Sequence, residues 1–327
     1  MSKIAVPGIA IEIPVIGFGC SSLASVGERK AQQLLGTALD AGVRHFDVAR
    51  YYGYGEAEGL LGAFVKSRRA GVTITTKFGI EPPRRTGALR FAMQAGRRLA
   101  QLVPAARGFL QRQAQGLAKA GGFSANDAQT SLETSLRALG ADYVDFFLLH
   151  EYAVSENSPD ELVAFLTDAV KAGKIRYFGL GTSIENTLRA MECQAQLCNV
   201  VQFENSALKR NLTKLPQGGP RPLTITHGSL GASFREVSDF LGANPTVKQD
   251  WSEKLAVDCS NDEIISALML NYSAQANADG LVLFSSKDTS RVSRNVKAVL
   301  ESEFSPVQVE LFAQFVKRDM MWSTPSE

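Results

Sequence analysis

The chain has 327 residues with 45% hydrophobic and 21% charged content, a balance typical of globular proteins that argues against a disordered or fibrous chain. A formal net charge of +2 implies no polyanionic partner such as nucleic acid, and no run of about 18 apolar residues exists to form a transmembrane helix. The four cysteines, at 20, 193, 198 and 259, make neither a CxxC pair nor a zinc-site spacing, and MSKIAVPGIA lacks the apolar run of a signal peptide, so a cytoplasmic protein with no metal site is expected.

The first residues read as a short hairpin, Ile4 to Val6 turning through Pro7-Gly8 into Ile9 to Ile13, followed by a buried strand, PVIGFG. Such a hairpin could plug the floor of a barrel. Gly17-Phe18-Gly19 lacks the third glycine of GxGxxG, Ser22 standing there, which disfavours a Rossmann reading. From Glu28 to Ala41 apolar residues recur at helical spacing and end at Gly42, and the strand VRHFD follows. A second helix from Glu56 to Lys66 leads through Gly71 into a third strand, VTITTK. Strand and helix alternating in this way are the mark of a parallel α/β fold.

After an interruption over residues 80 to 122 the rhythm resumes. Ser124 and Asp127 form a capping box ahead of a helix, and the strand YVDFFLLH is apolar almost throughout. A helix from Ser158-Pro159 to Gly173, the strand IRYFGLG, a helix from Ile184 to Leu197 and the strand NVVQFE come next. Residues 211 to 222 read as a loop, PLTITHG as a seventh strand, and the stretch to about residue 258 as irregular. A helix from Asn261 to Gln275, the strand GLVLF and a helix from Thr289 to Leu300 complete eight units, and a last helix spans Pro306 to Met320. Eight such units predict one domain of α/β class, a (β/α)8 TIM barrel with an N-terminal hairpin and an insertion after strand three.

In such a barrel chemistry sits at the C-terminal ends of the strands. Four polar residues stand there: Asp47 after strand two, Tyr52 on the loop that follows, Lys77 ending strand three and His150 ending strand four. A free phenol has a pKa of about 10 and gives up its proton poorly, so a tyrosine acid needs a neighbouring charge. Taken singly, Asp47 could cap a turn, Lys77 could be a surface lysine and His150 a core histidine. His45, two residues before Asp47 on the same strand face, reads as a barrel-core residue.

These residues also resemble the aldo-keto reductase family. The motifs are DxAxxYG from Asp47 to Gly53, the strand-end Thr76-Lys77, DxxxLH from Asp145 to His150 and GKIRxxG from Gly173 to Gly179. The resemblance implies a nicotinamide-dependent oxidoreductase in which Tyr52 gives a proton to a carbonyl oxygen, Lys77 lowers the tyrosine pKa, Asp47 pairs with Lys77, and His150 orients the substrate. It further implies that Gln202 and Thr182 hold the carboxamide, although Gly181-Thr182 stands where the family has a Ser-Asn pair. Ser286, Lys287, Arg291 and Asn295 match the family's adenosine end, where two cations beside a helix N-terminus favour NADP(H) over NAD(H). No stacking residue is assigned in Thr226 to Leu230. Tyr51, Tyr54, Phe78 and Trp251 are candidate walls of a substrate pocket.

The function expected is reduction of an aldehyde or ketone with NADPH. An oxidative sugar or alcohol dehydrogenase and a cofactor-binding sensor barrel are the alternatives. The segment from Pro82 to Gly122 holds eight basic residues and no acid, and suggests amphipathic helices broken by Pro104. It reads as a solvated excursion, as a lid or pocket wall, or as an attachment to an acidic membrane surface or a protein partner.

Overall fold

The structure, a computed structural model, describes residues 3–82, 119–154, 158–218 and 221–320. Twelve strands occur among them: β1 (Lys3–Ile4), β2 (Ile13–Pro14), β3 (Ile16–Gly19), β4 (His45–Asp47), β5 (Thr73–Phe78), β6 (Ile80–Glu81), β7 (Lys119–Ala120), β8 (Val144–His150), β9 (Ile175–Gly181), β10 (Val200–Glu204), β11 (Leu223–His227) and β12 (Leu281–Phe284). Eight of them close a barrel in the order β3-β4-β5-β8-β9-β10-β11-β12, and every pair within it is parallel. This is the (β/α)8 barrel that the alternation of elements predicts.

Ten α-helices accompany the strands: α1 (Glu28–Asp40), α2 (Ala57–Val65), α3 (Ala125–Leu139), α4 (Asp160–Lys171), α5 (Ile184–Cys193), α6 (Ala232–Ala243), α7 (Pro245–Leu255), α8 (Asp262–Ala276), α9 (Thr289–Leu300) and α10 (Pro306–Met320). The capping box of α3 is present, with the Ser124 hydroxyl accepting from the Asp127 amide and the Asp127 carboxylate accepting from the Ser124 amide. Gly140 ends the same helix in the left-handed conformation, φ 59°, that glycine adopts without strain.

Helices α6 and α7 correct the expectation of an irregular stretch up to residue 258. Asn244 and Pro245 break the pattern, and each helix buries only a narrow seam, Val237 with Leu241 and Trp251 with Leu255. These seams, with Leu268 and Met269 of α8 and Phe312 and Val316 of α10, make a satellite core outside the barrel. Apolar residues so sparse show little periodicity along the chain, and their burial depends on two later helices arriving to cover them.

The hairpin β1–β2 closes the barrel floor. Ile4, Val6 and Ile13 pack with the inward-facing Phe146, Leu148, Val200 and Ile225 in one buried cluster. A second antiparallel ribbon, β6–β7, continues from the end of β5 and brackets residues 83–118. The amphipathic helices expected in the basic insertion fall in those residues and lie outside the described ones.

Candidate active site

Side chains along a strand alternate between faces, so each strand sends every second residue into the barrel. On β4 these are His45 and Asp47, on β5 Thr73, Thr75 and Lys77, on β8 Phe146, Leu148 and His150, on β10 Val200, Gln202 and Glu204, and on β11 Leu223, Ile225 and His227. The lower layers are apolar or mutually bonded: His45 meets the Thr73 hydroxyl at 3.0 Å and the Thr75 hydroxyl at 3.2 Å. It is fully buried, as expected of a barrel-core residue, and desolvation lowers its pKa to about 4. The top layer is polar and lines a cavity of about 280 Å³ that contains Asp47, Tyr52, Lys77 and His150 together.

Tyr52 reaches this layer from a turn rather than a strand. Gly53 and Tyr54 both adopt left-handed backbone angles, φ 58°, which turn the chain back toward the cavity. A Cβ on Gly53 would stand 2.1 Å from the Ala24 Cβ, so only glycine fits there. The Lys77 ammonium donates to Asp47 Oδ1 at 2.6 Å and to the Tyr52 hydroxyl at 3.2 Å, and both Lys77 and Asp47 are buried. The Tyr52 and His150 rings meet edge to face with centroids 5.9 Å apart. Behind this layer, on the outer face of β5, the Thr76 hydroxyl donates to the buried Glu58 carboxylate at 2.6 Å and ties the strand to α2.

The charges respond to this crowding. Burial would depress the Lys77 pKa, but Asp47 and then Tyr52 outweigh it and the net shift is upward, so the lysine stays cationic. Tyr52 is also shifted upward, because desolvation exceeds the opposing pull of Lys77. Lys77 does pull the tyrosine downward, as expected, but in the cavity as it stands desolvation outweighs that pull. Desolvation, followed by the charge of Lys77, lowers His150 to about 3, so its imidazole is neutral. His227, open to the cavity yet crowded by the barrel rim, moves in the same direction for the same two reasons.

Gln202 donates its amide to Asp47 Oδ2 at 2.8 Å, which fixes the amide orientation and leaves its carbonyl oxygen toward Gly181. A Cβ at Gly181 would come within 3.2 Å of that oxygen and 3.5 Å of Lys77 Cδ, so the glycine leaves a shallow space above both. The Thr182 hydroxyl is already engaged, donating to the Tyr152 carbonyl at 2.9 Å and accepting from Asn186 at 3.3 Å. Along the rim, Ser286 closes a small turn with Asp288, whose carboxylate caps α9 by accepting from the Arg291 amide at 2.9 Å. Lys287 and Arg291 are exposed there without an ion pair among the described residues, and Asn295 is half-buried one turn further on.

Two of the four candidate pocket walls are corrected. Phe78 follows inward-facing Lys77 and so faces outward, stacked on Phe147 with centroids 4.8 Å apart. Trp251 lies in the satellite core, its indole N–H donating to Asp319 at 2.7 Å. Tyr51 and Tyr54 are half-buried on the turn that carries Tyr52, but they do not line the cavity. Ser21 and Glu151 also line the cavity without having been singled out from the sequence, as do His227 and Ser285, to which no role was assigned. The strand alternation that selects Lys77 and His150 also selects His227, the inward residue ending its own strand.

A closed parallel barrel with a lysine, a carboxylate, a tyrosine and a histidine gathered at the C-terminal ends of its strands defines a (β/α)8 protein with an enzyme-like site. The sequence matches the profile of the Aldo/keto reductase family over residues 15–317, and the chain belongs to that family. It is 30% identical over 183 residues to the aldo-keto reductase yakc [NADP(+)] of Schizosaccharomyces pombe, covering 54% of this chain and 45% of that protein. It is 26% identical over 204 residues to a D-threo-aldose 1-dehydrogenase of Pseudomonas, covering 59% of this chain and 57% of that one. The matched stretch thus spans about half the length of these curated relatives. Among solved structures, a glycerol dehydrogenase from Gluconobacter oxydans superposes with a TM-score of 0.71 at 17% identity, covering 100% of this chain and 98% of that one. At that identity the likeness speaks to the fold. Among the described residues no helix is long and apolar enough to cross a membrane, and no cluster of metal-ligating side chains occurs.

Proposed function

We propose that the protein is an NADPH-dependent reductase of aldehydes or ketones, with Tyr52 as the general acid. The observation that carries this reading is the continuous contact from Asp47 through Lys77 to Tyr52, 2.6 Å and 3.2 Å long, opening on a cavity beside a neutral His150. When bound, a nicotinamide cofactor supplies the hydride. As negative charge develops on a carbonyl oxygen held between Tyr52 and His150, the phenol passes its proton to that oxygen. Lys77 stabilises the phenolate left behind, and Asp47 keeps Lys77 in place and charged. The neutral His150 donates a hydrogen bond to the same oxygen without competing for the proton.

Residues that would hold the cofactor fit it unevenly. Gln202, oriented by Asp47, offers a free carbonyl oxygen to a carboxamide N–H, and the missing side chain at Gly181 leaves room for a flat ring. Thr182, with its hydroxyl engaged elsewhere, contributes at most a second acceptor position. At the other end Lys287 and Arg291 supply two cations with no ion pair among the described residues and Asp288 one carboxylate, a balance that favours a phosphate-bearing adenosine. Following NADPH absorbance with a panel of aldehydes and ketones tests the activity, and Tyr52→Phe tests the mechanism. A variant that kept full reductase turnover would remove Tyr52 from the role of acid.

A further inference from the structure

The described lining of the cavity mixes polar and apolar groups. Ser21 follows β3, Glu151 follows β8, His227 ends β11 and Ser285 follows β12, and all four are exposed to the cavity or to solvent. Of the apolar lining, Leu283 and Phe284 are buried in the wall and Leu230 is half-buried.

Glu151 stands apart within this set. Its backbone has φ 56°, in the left-handed region that residues other than glycine seldom occupy, and strained positions of this kind concentrate at functional sites. The conformation is held by strand pairing, the Glu151 amide donating to the Gly181 carbonyl at 2.8 Å. Its carboxylate also sets the sign of charge that an incoming molecule meets. Lys77 and Asp47 neutralise one another at 2.6 Å, Lys209 covers Glu204 at 2.8 Å, and the His150 and His227 imidazoles are both held neutral by the crowded rim. Among the described lining residues Glu151 is left as the uncompensated charge.

We infer that Glu151 is a specificity-determining residue that admits neutral, hydroxyl-bearing carbonyl compounds and disfavours those carrying a carboxylate. The inference rests on the carbonyl-reductase reading above. A hydroxyl can donate to the Glu151 carboxylate while Ser21, His227 and Ser285 serve its neighbours. A carboxylate meets like charge there and finds no free cation among the described lining residues.

The test compares 4-(hydroxymethyl)benzaldehyde with 4-carboxybenzaldehyde, two substrates of similar length that differ in charge, on the full-length protein with NADPH. Two unit charges about 7 Å apart in a partly solvated site change kcat/KM by roughly five- to tenfold. Wild type is expected to prefer the hydroxymethyl compound. The ratio of kcat/KM for the carboxylate over the hydroxymethyl substrate should rise by about that factor in Glu151→Gln and further in Glu151→Lys, and the difference should shrink in high salt. A ratio unchanged in both variants, each still reducing the hydroxymethyl compound, overturns the role of Glu151 and leaves the reductase reading intact. Failure of wild type to reduce any aldehyde in a broad panel overturns both.

Discussion

Replacing Lys77 with methionine probes the centre of the site most directly. The ammonium is buried and lies 2.6 Å from Asp47 and 3.2 Å from the Tyr52 oxygen, so methionine keeps the apolar stem and removes the ammonium with its charge and hydrogen bonds. Two consequences separate cleanly. For stability, Asp47 loses its counter-ion and keeps Gln202 as its hydrogen-bond donor, a change that costs about 3–5 kcal/mol when one partner of a buried pair is removed. For catalysis, a cation 3.2 Å from a forming phenolate is worth up to about 5 kcal/mol at an effective dielectric of 20, so kcat should fall on the order of a hundred- to several-thousandfold. Urea unfolding and single-turnover reduction of an aldehyde measure the two effects. The double variant Asp47→Asn/Lys77→Met should recover most of the lost stability, because no unpaired charge stays buried, and none of the lost turnover. Turnover within tenfold of wild type in Lys77→Met would refute the argument, as would a double variant no more stable than the single one.

Four further outcomes follow from particular contacts. His45 has a folded pKa of about 4 against about 6.5 unfolded, so the unfolded chain gains its proton first as pH falls; stability should drop by about 3 kcal/mol between pH 6.5 and 4 from this residue, and His45→Gln should flatten that part of the urea-midpoint profile. Glu151→Gly relieves a left-handed backbone and should raise stability by about 1 kcal/mol in the same assay, whereas a loss would show that the φ 56° conformation is unstrained. Trp251→Ala should cost about 3–5 kcal/mol through a cavity in the satellite core while KM for aldehydes stays within about twofold, and a large KM change would return Trp251 to the substrate pocket. Arg291→Ala should weaken NADPH binding about tenfold or more and NADH binding little, read by titrating the fluorescence of each cofactor; equal losses would argue against a phosphate contact.

Much of the fold was legible before any coordinates, because period and punctuation are local properties. The barrel strands are short apolar runs bounded by glycine and polar caps, and helices such as Thr289–Leu300 and Pro306–Met320 start where Asp288 and Ser305 cap them. The four polar residues at strand ends were visible in the same way, since a parallel barrel brings strand C-termini to one face. Helices α6 and α7 were not visible, because their seams of Val237, Leu241, Trp251 and Leu255 are sparse and become a core only against α8 and α10. Phe78 and Trp251 were misplaced for a related reason: an aromatic side chain fits a pocket wall and a packed core equally well by composition, and only facing decides between them.

What the sequence determined by itself is therefore the order of elements, the closed parallel barrel and the identity of Asp47, Tyr52, Lys77 and His150 as a set. Tertiary structure decided how these groups act on one another. Distances of 2.6 Å and 3.2 Å join Asp47, Lys77 and Tyr52, while the loss of water around them raises the tyrosine and depresses the histidine. Those effects depend on strands more than twenty residues apart in sequence meeting in one crowded layer, and desolvation is a property of the assembled barrel that no local pattern encodes.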